Sequence, residues 1–207
     1  MKTILFMGDS ITDAGRCRTD DHLLGNGYAT MTAGKIGVGY PGVYQCINRG
    51  ISGNRSIDIY ARMNEDILDL KPDFISILMG VNDVWHGLEA GNGVSPEVYR
   101  QTYSMLLEKI SQQLPKTKVI IMEPYVQSGS GTNRYLEQFR EGVNTCAKIS
   151  KSMAEQYHAF FVPLQQMLDD FAAKTSNETV LLDGVHPTYV GHALISNALY
   201  AQYQKLL

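Results

Sequence analysis

Phe74-Ile75-Ser76-Ile77-Leu78-Met79, followed at once by Gly80-Val81-Asn82-Asp83, is the stretch on which the fold turns. A nearly unbroken apolar run of this length suits a strand covered on both faces, as parallel sheets require. Four further runs read as strands: Thr3–Met7, Tyr44–Asn48, Lys118–Glu123 and Ala159–Val162. Segments with helical spacing separate them. Ile57, Ala61, Ile67, Leu68 and Leu70 form one stripe, and Tyr103, Leu106, Leu107, Ile110 and Leu114 a second. A third runs through Phe139, Val143, Ala147 and Met153, and the last through Leu194, Ala198, Tyr200 and Tyr203. Ser95-Pro96 reads as a cap and first turn, while Pro72, Pro115 and Pro163 mark element ends. Strands alternating with helices over 207 residues predict one α/β domain, residues 1–207, with a parallel sheet between helix layers. Ligands of such open sheets bind beyond the carboxyl ends of the strands, where strand order reverses. Chemistry is therefore expected just after the first, second and third strands.

Each of those places holds a suggestive group. Gly8-Asp9-Ser10-Ile11-Thr12-Asp13 follows the first strand. A serine at a strand-to-helix turn exposes its hydroxyl and sits at the positive end of the following helix, which suits a nucleophile. Taken alone, Ser10 reads equally well as a helix cap. Gly50-Ile51-Ser52-Gly53-Asn54 follows the second strand. Gly53 there offers a backbone N–H unobstructed by a side chain, as an oxyanion donor needs, or else simply forms a turn. Asn82, after the third strand, has a side-chain N–H for the same oxygen, or an Asx turn to make.

Near the other end, Asp183-Gly184-Val185-His186-Pro187 precedes the last helical stripe. Pro187 disfavours helical geometry at His186, which places the pair in a loop. Residues three apart in a tight turn can meet, so the Asp183 carboxylate is able to hold one imidazole nitrogen and free the other for a serine proton. Three features following three successive strands, as the sheet rule asks, with an Asp–His pair before the last helix, argue jointly for a nucleophilic site.

These blocks resemble those of the SGNH hydrolases, also called the GDSL esterase/lipase family, and they span the chain. The resemblance implies Ser10 as nucleophile and Asp183 and His186 as the acid–base pair. It also implies an oxyanion hole from Ser10, Gly53 and Asn82. Ile11 stands where the family's short name has leucine, a mild departure. The fold implied is a flavodoxin-like three-layer α/β/α sandwich with a five-stranded parallel sheet, in agreement with the strand count. Gly8 through Arg16, Asn48 through Asn54, Asn82-Asp83-Val84-Trp85 and His186-Pro187 further resemble intracellular acetylxylan esterases. That narrower likeness implies removal of acetyl groups from xylan-derived sugars. Trp85, Tyr28, Tyr125 and Tyr189 offer flat faces for a sugar ring, Trp85 and Tyr189 being the candidate substrate-binding residues; the alternative is core packing. Relatives often assemble, which brings a homo-oligomer into view.

Composition narrows the alternatives. Eighteen Lys and Arg against 21 Asp and Glu give a net charge of −3, with no basic run, so no nucleic-acid partner is expected. Three cysteines do not make a disulfide framework, and reduced packed thiols in a cytoplasmic protein are expected. The apolar run after Lys2 stops at Gly8-Asp9, too early for a signal sequence, and no stretch is long enough to span a bilayer. No membrane partner, metal or cofactor is expected, because the five histidines lack ligand spacing. His192 is read as an early-helix or interface residue. Gly37-Val38-Gly39-Tyr40-Pro41-Gly42 mimics a dinucleotide fingerprint but precedes a strand, and Pro41 removes a donor. The Asn54-Arg55-Ser56 and Asn177-Glu178-Thr179 sequons carry no weight without secretion. Three functions remain: a small-acyl carbohydrate esterase, a lysophospholipase, thioesterase or arylesterase using the same machinery, and a non-catalytic binding protein. The complete set of reactive residue types disfavours the last.

Overall fold

A computed structural model describes residues 1–207. Five strands form one sheet: β1 (Lys2–Gly8), β2 (Tyr44–Asn48), β3 (Phe74–Leu78), β4 (Lys118–Met122) and β5 (Phe160–Val162). All neighbours are parallel, in the order β2-β1-β3-β4-β5, which is the flavodoxin-like doubly wound arrangement. β1 is buried from Thr3 onward, and its alternate residues feed different cores. Ile4 and Phe6 face one layer with Tyr28, Ile195, Leu199 and Tyr203, whereas Leu5 and Met7 face the other with Ile59, Leu106 and Met153. Continuous apolar character is thus explained by two covered faces.

The helices are α1 (Ser10–Asp13), α2 (Tyr28–Gly39), α3 (Ser56–Ala61), α4 (Val81–Ala90) and α5 (Pro96–Gln113). After β4 come α6 (Leu136–Gln156), α7 (Gln165–Ala172), α8 (Asn177–Val180) and α9 (Tyr189–Tyr203). Ser95 caps α5 through the N–H of Val98, ahead of Pro96.

Several details differ from the sequence expectation. β4 ends at Met122; Glu123 still donates its N–H to the carbonyl of Val162, and its carboxylate accepts the N–H groups of Leu164 and Gln165 at 2.7 and 2.9 Å, anchoring the start of α7. Of the stripe read through Ile57, Ala61, Ile67, Leu68 and Leu70, Ile67 and Leu68 are buried, whereas Ala61 is exposed and Ile57 and Leu70 are half-buried. A π-helical turn at Asn64–Leu68 follows α3, its wider turn shifts the helical phase, and Ile59, Met63, Ile67 and Leu68 carry the burial. In α9 the fully buried face is Ile195, Leu199 and Tyr203, with Leu194, Ala198 and Tyr200 at its flanks. Apolar residues surround that helix, so spacing alone did not single out the inner face. No helix is long and apolar enough to cross a membrane.

Candidate active site

The turn after β1 answers the question of what Ser10 does there. The cap of α1 is Asp9, whose Oδ1 accepts the N–H of Ile11 at 3.0 Å. The Ser10 hydroxyl lies 2.9 Å from Nε2 of His186 instead. On the far side of the ring, Nδ1 lies 2.7 Å from Asp183 Oδ2. Asp183 Oδ1 accepts the N–H groups of Val185 and His186 at 2.9 and 2.8 Å, which fixes the carboxylate in the turn before α9. An antiparallel bridge between Leu181 and Pro187 closes that turn.

Electrostatics set the proton positions. Burial pushes the Asp183 carboxyl up, but the bonds from the imidazole and from two backbone N–H groups outweigh it and hold the group down at about 2. An ionised carboxylate only accepts, so Nδ1 of neutral His186 carries the hydrogen and Nε2 accepts from Ser10. The hydrogen bond to Asp183 raises the His186 pKa above its ordinary value, against the opposing effect of partial burial. The imidazole is therefore a stronger base than a free one, already oriented toward the hydroxyl.

Gly53 lies in the loop after β2, whose Ile51 N–H donates to the carbonyl of Gly8 at 3.1 Å, and Asn82 lies in the first turn of α4 after β3. Gly53 has φ +80°, and a Cβ built on it would meet nothing within 4 Å. Left-handed backbone there favours glycine. Asn82 is buried in the first turn of α4, and its Nδ2 donates to the carbonyl of Asn54 at 3.1 Å. One amide hydrogen thus braces the loop carrying Gly53, leaving the second for another acceptor.

Two buried carboxyls to which the sequence reading gave no part in this loop hold it. Asp13 accepts from the N–H and hydroxyl of Ser52 at 3.0 and 3.1 Å and from Arg18 at 2.6 Å. Asp83 accepts the N–H of Ser56 and its hydroxyl, and burial pushes its carboxyl up to about 6 despite those bonds. Both acids lie inside the motif blocks, so their positions were visible although their task was not.

The aromatic candidates divide. Trp85 packs its ring 5.8 Å from that of His186 and 5.7 Å from that of Phe139, with Nε1 buried and unpartnered in the protein. Tyr189 opens α9 and is 80% exposed. Tyr28 and Tyr125 offer no ring face, because both are fully buried in the core. The Tyr28 hydroxyl is bonded to Thr12 at 2.8 Å. His192 lies in the first turn of α9, where Nδ1 accepts the N–H of Tyr28 and burial lowers its pKa to about 4.

A further contributor escaped the sequence reading. The loop after β4 carries Gly129, where an added Cβ would lie 2.2 Å from the carbonyl carbon of Asp183. Gln127 N–H donates to Gly184 and Gly131 N–H to Asp183, at 2.8 and 2.9 Å. The stretch Ser128-Gly129-Ser130-Gly131 was the available signal.

Fold and site together define the class, an ester hydrolase built on a flavodoxin-like sheet. The chain belongs to the GDSL-like lipase/acylhydrolase family, whose family model matches residues 6–194. It is 31% identical over 202 residues to an acetylxylan esterase of Geobacillus stearothermophilus, covering 94% of this chain and 90% of that one. The solved structure of Axe2, an acetylxylan esterase from that organism, superposes with a TM-score of 0.87 at 29% identity, covering 97% and 93% of the two chains. Two solved variants of Axe2, each described as a catalytic mutant, replace a serine and an aspartate. LAE5, an α/β hydrolase from a Lake Arreo metagenome, gives a TM-score of 0.87 at 27% identity, covering 100% and 96%. The protein is accordingly a carboxylic ester hydrolase.

Proposed function

We propose that this enzyme removes small acyl groups, acetyl above all, from carbohydrates such as xylo-oligosaccharides, with Ser10 as nucleophile. The observation that supports the chemistry best is the unbroken Ser10–His186–Asp183 chain, at 2.9 and 2.7 Å. His186 Nε2 takes the Ser10 proton as Oγ bonds to the ester carbonyl carbon, and the carbonyl pair moves onto oxygen. The N–H groups of Ser10 and Gly53 and the free amide hydrogen of Asn82 receive that oxyanion, each such donor being worth about 3 kcal/mol. His186 then returns its proton to the departing sugar oxygen, leaving acetyl-Ser10. Water, deprotonated by His186, repeats the addition and releases acetate.

The acetylated-sugar assignment rests on likeness to the acetylxylan esterase over nearly the whole chain, together with Trp85 beside the imidazole. Acetate release from acetylated xylo-oligosaccharides, acetylated glucosamine and nitrophenyl acetate and octanoate tests it, with Ser10→Ala as blank. Acetylated xylo-oligosaccharides should give the highest kcat/KM, and the blank should give none. Faster turnover of octanoate than of acetate would end the small-acyl reading.

A further inference from the structure

Arg62 lies between α3 and the π-helical turn, outside every motif block, with its side chain only 16% exposed. A guanidinium so far from water needs a reason, and its partners supply one. Nη2 donates to the carbonyl of Gly8 at 3.2 Å, at the end of the strand that delivers Ser10. Nη1 donates to the carbonyl of Arg49 at 2.8 Å and to Asp66 one turn on. Nε donates to the side-chain oxygen of Asn54 at 2.7 Å. Asn54 follows Gly53, and its own carbonyl is the one that Asn82 braces. A single planar fork therefore grips the strand end before Ser10 and both flanks of the loop bearing Gly53.

We infer that Arg62 is a positioning residue for ester hydrolysis, fixing the spacing between the N–H groups of Ser10 and Gly53. The inference rests on the oxyanion reading given above. Oxyanion donors act only when preorganised, and a displacement of about 1 Å can cost about 100-fold in rate. Asp66, itself half-buried, orients the fork and also lies 3.5 Å from Arg49, so the clamp is fixed from both sides. Lysine has one charged nitrogen and no fork, so it cannot satisfy acceptors in three directions.

The test compares Arg62→Lys and Arg62→Met with wild type on nitrophenyl acetate, reading kcat and KM separately. The expected result is a kcat lower by about 10- to 100-fold in both, with KM changed less than about 3-fold. Affinity for methylboronic acid, which forms a tetrahedral adduct on the serine, should weaken by the same factor as kcat. Millimolar guanidinium should restore part of the activity of Arg62→Met. A lowered melting temperature with unchanged kcat and boronate affinity would show a merely structural residue and overturn the inference. Should these variants fail to fold, Asn54→Ala removes only the Nε acceptor. It should cost about 3- to 10-fold in kcat at unchanged KM, and unaltered kcat would again overturn the inference. Asn82→Ala separates the two levels. Wild-type kcat there would defeat the oxyanion reading, whereas a loss of about 100-fold or more beside a fully active Arg62→Met would defeat the clamp alone.

Discussion

Around Ser10, the loops after β1, β2 and β3 are bound to one another by charged side chains, with Asp13 on Ser52, Asp83 on Ser56 and Arg62 on Gly8, Arg49 and Asn54. Around His186, the turn before α9 is held chiefly by backbone, lying against the loop after β4 where Gly129 permits contact. The nucleophile half is thus fixed by ionic and charge-assisted bonds that a few substitutions can remove. The acid–base half is fixed by close packing of two backbone segments, which leaves no room for a side chain at Gly129 or Gly184. Two ways of reaching sub-ångström placement coexist in one site, and they break differently.

The largest effect should come from the acid–base half. Asp183→Asn should lower kcat by about 10,000-fold, because an amide can present a donor to Nδ1 and reverse the tautomer. Its pH profile should move as well. Wild-type kcat/KM rises with pH as His186 loses its proton, and the bond to Asp183 raises that pKa. Without the carboxylate, the acidic limb should shift to lower pH, and an unshifted limb would refute the coupling.

Gly129→Ala probes the packing mode directly. The added methyl would lie 2.2 Å from Asp183 backbone, so either the turn or the β4 loop must move. A loss of about 10- to 100-fold in kcat is expected, although no reacting group is changed. Full activity would mean that the two segments are not tightly coupled.

The smallest effect concerns Asp9, which is fully buried and whose carboxyl burial pushes up to about 7. Below its unfolded pKa, near 4, the group is protonated in both states and has no effect on stability. Between there and about 7 the unfolded chain ionises while the native one keeps its proton, so native stability falls as pH rises. Asn cannot titrate. The melting temperature of Asp9→Asn minus that of wild type should therefore increase by a few degrees between pH 5 and pH 8. A pH-independent difference would show that Asp9 stays ionised when folded.

The five strands were legible to within a residue or two, and β1, β3 and β4 most plainly, because they feed two cores and so carry nearly unbroken apolar runs. Ser10, Asp183 and His186, which the structure brings together, announced themselves through their places relative to strand ends and to Pro187. What could not be read was orientation. Tyr28 and Tyr125 have the same composition as surface rings, and only three-dimensional packing sends them inward. The π-helical turn breaks the period on which the stripe through Ile57 relied. Arg62 was invisible for a related reason, since two of its acceptors are the backbone carbonyls of Arg49 and Gly8, which carry no sequence signature.

Ser10 and His186 are separated by 176 positions along the chain, and β1 lies between β2 and β3, both made after it. During synthesis the nucleophile therefore emerges 176 positions ahead of its base. A ribosome-bound chain with every strand complete would still be inert toward esters. Turnover thus reports on completed folding, and any lesion that keeps the final helix from docking should silence the enzyme while much of the sheet persists.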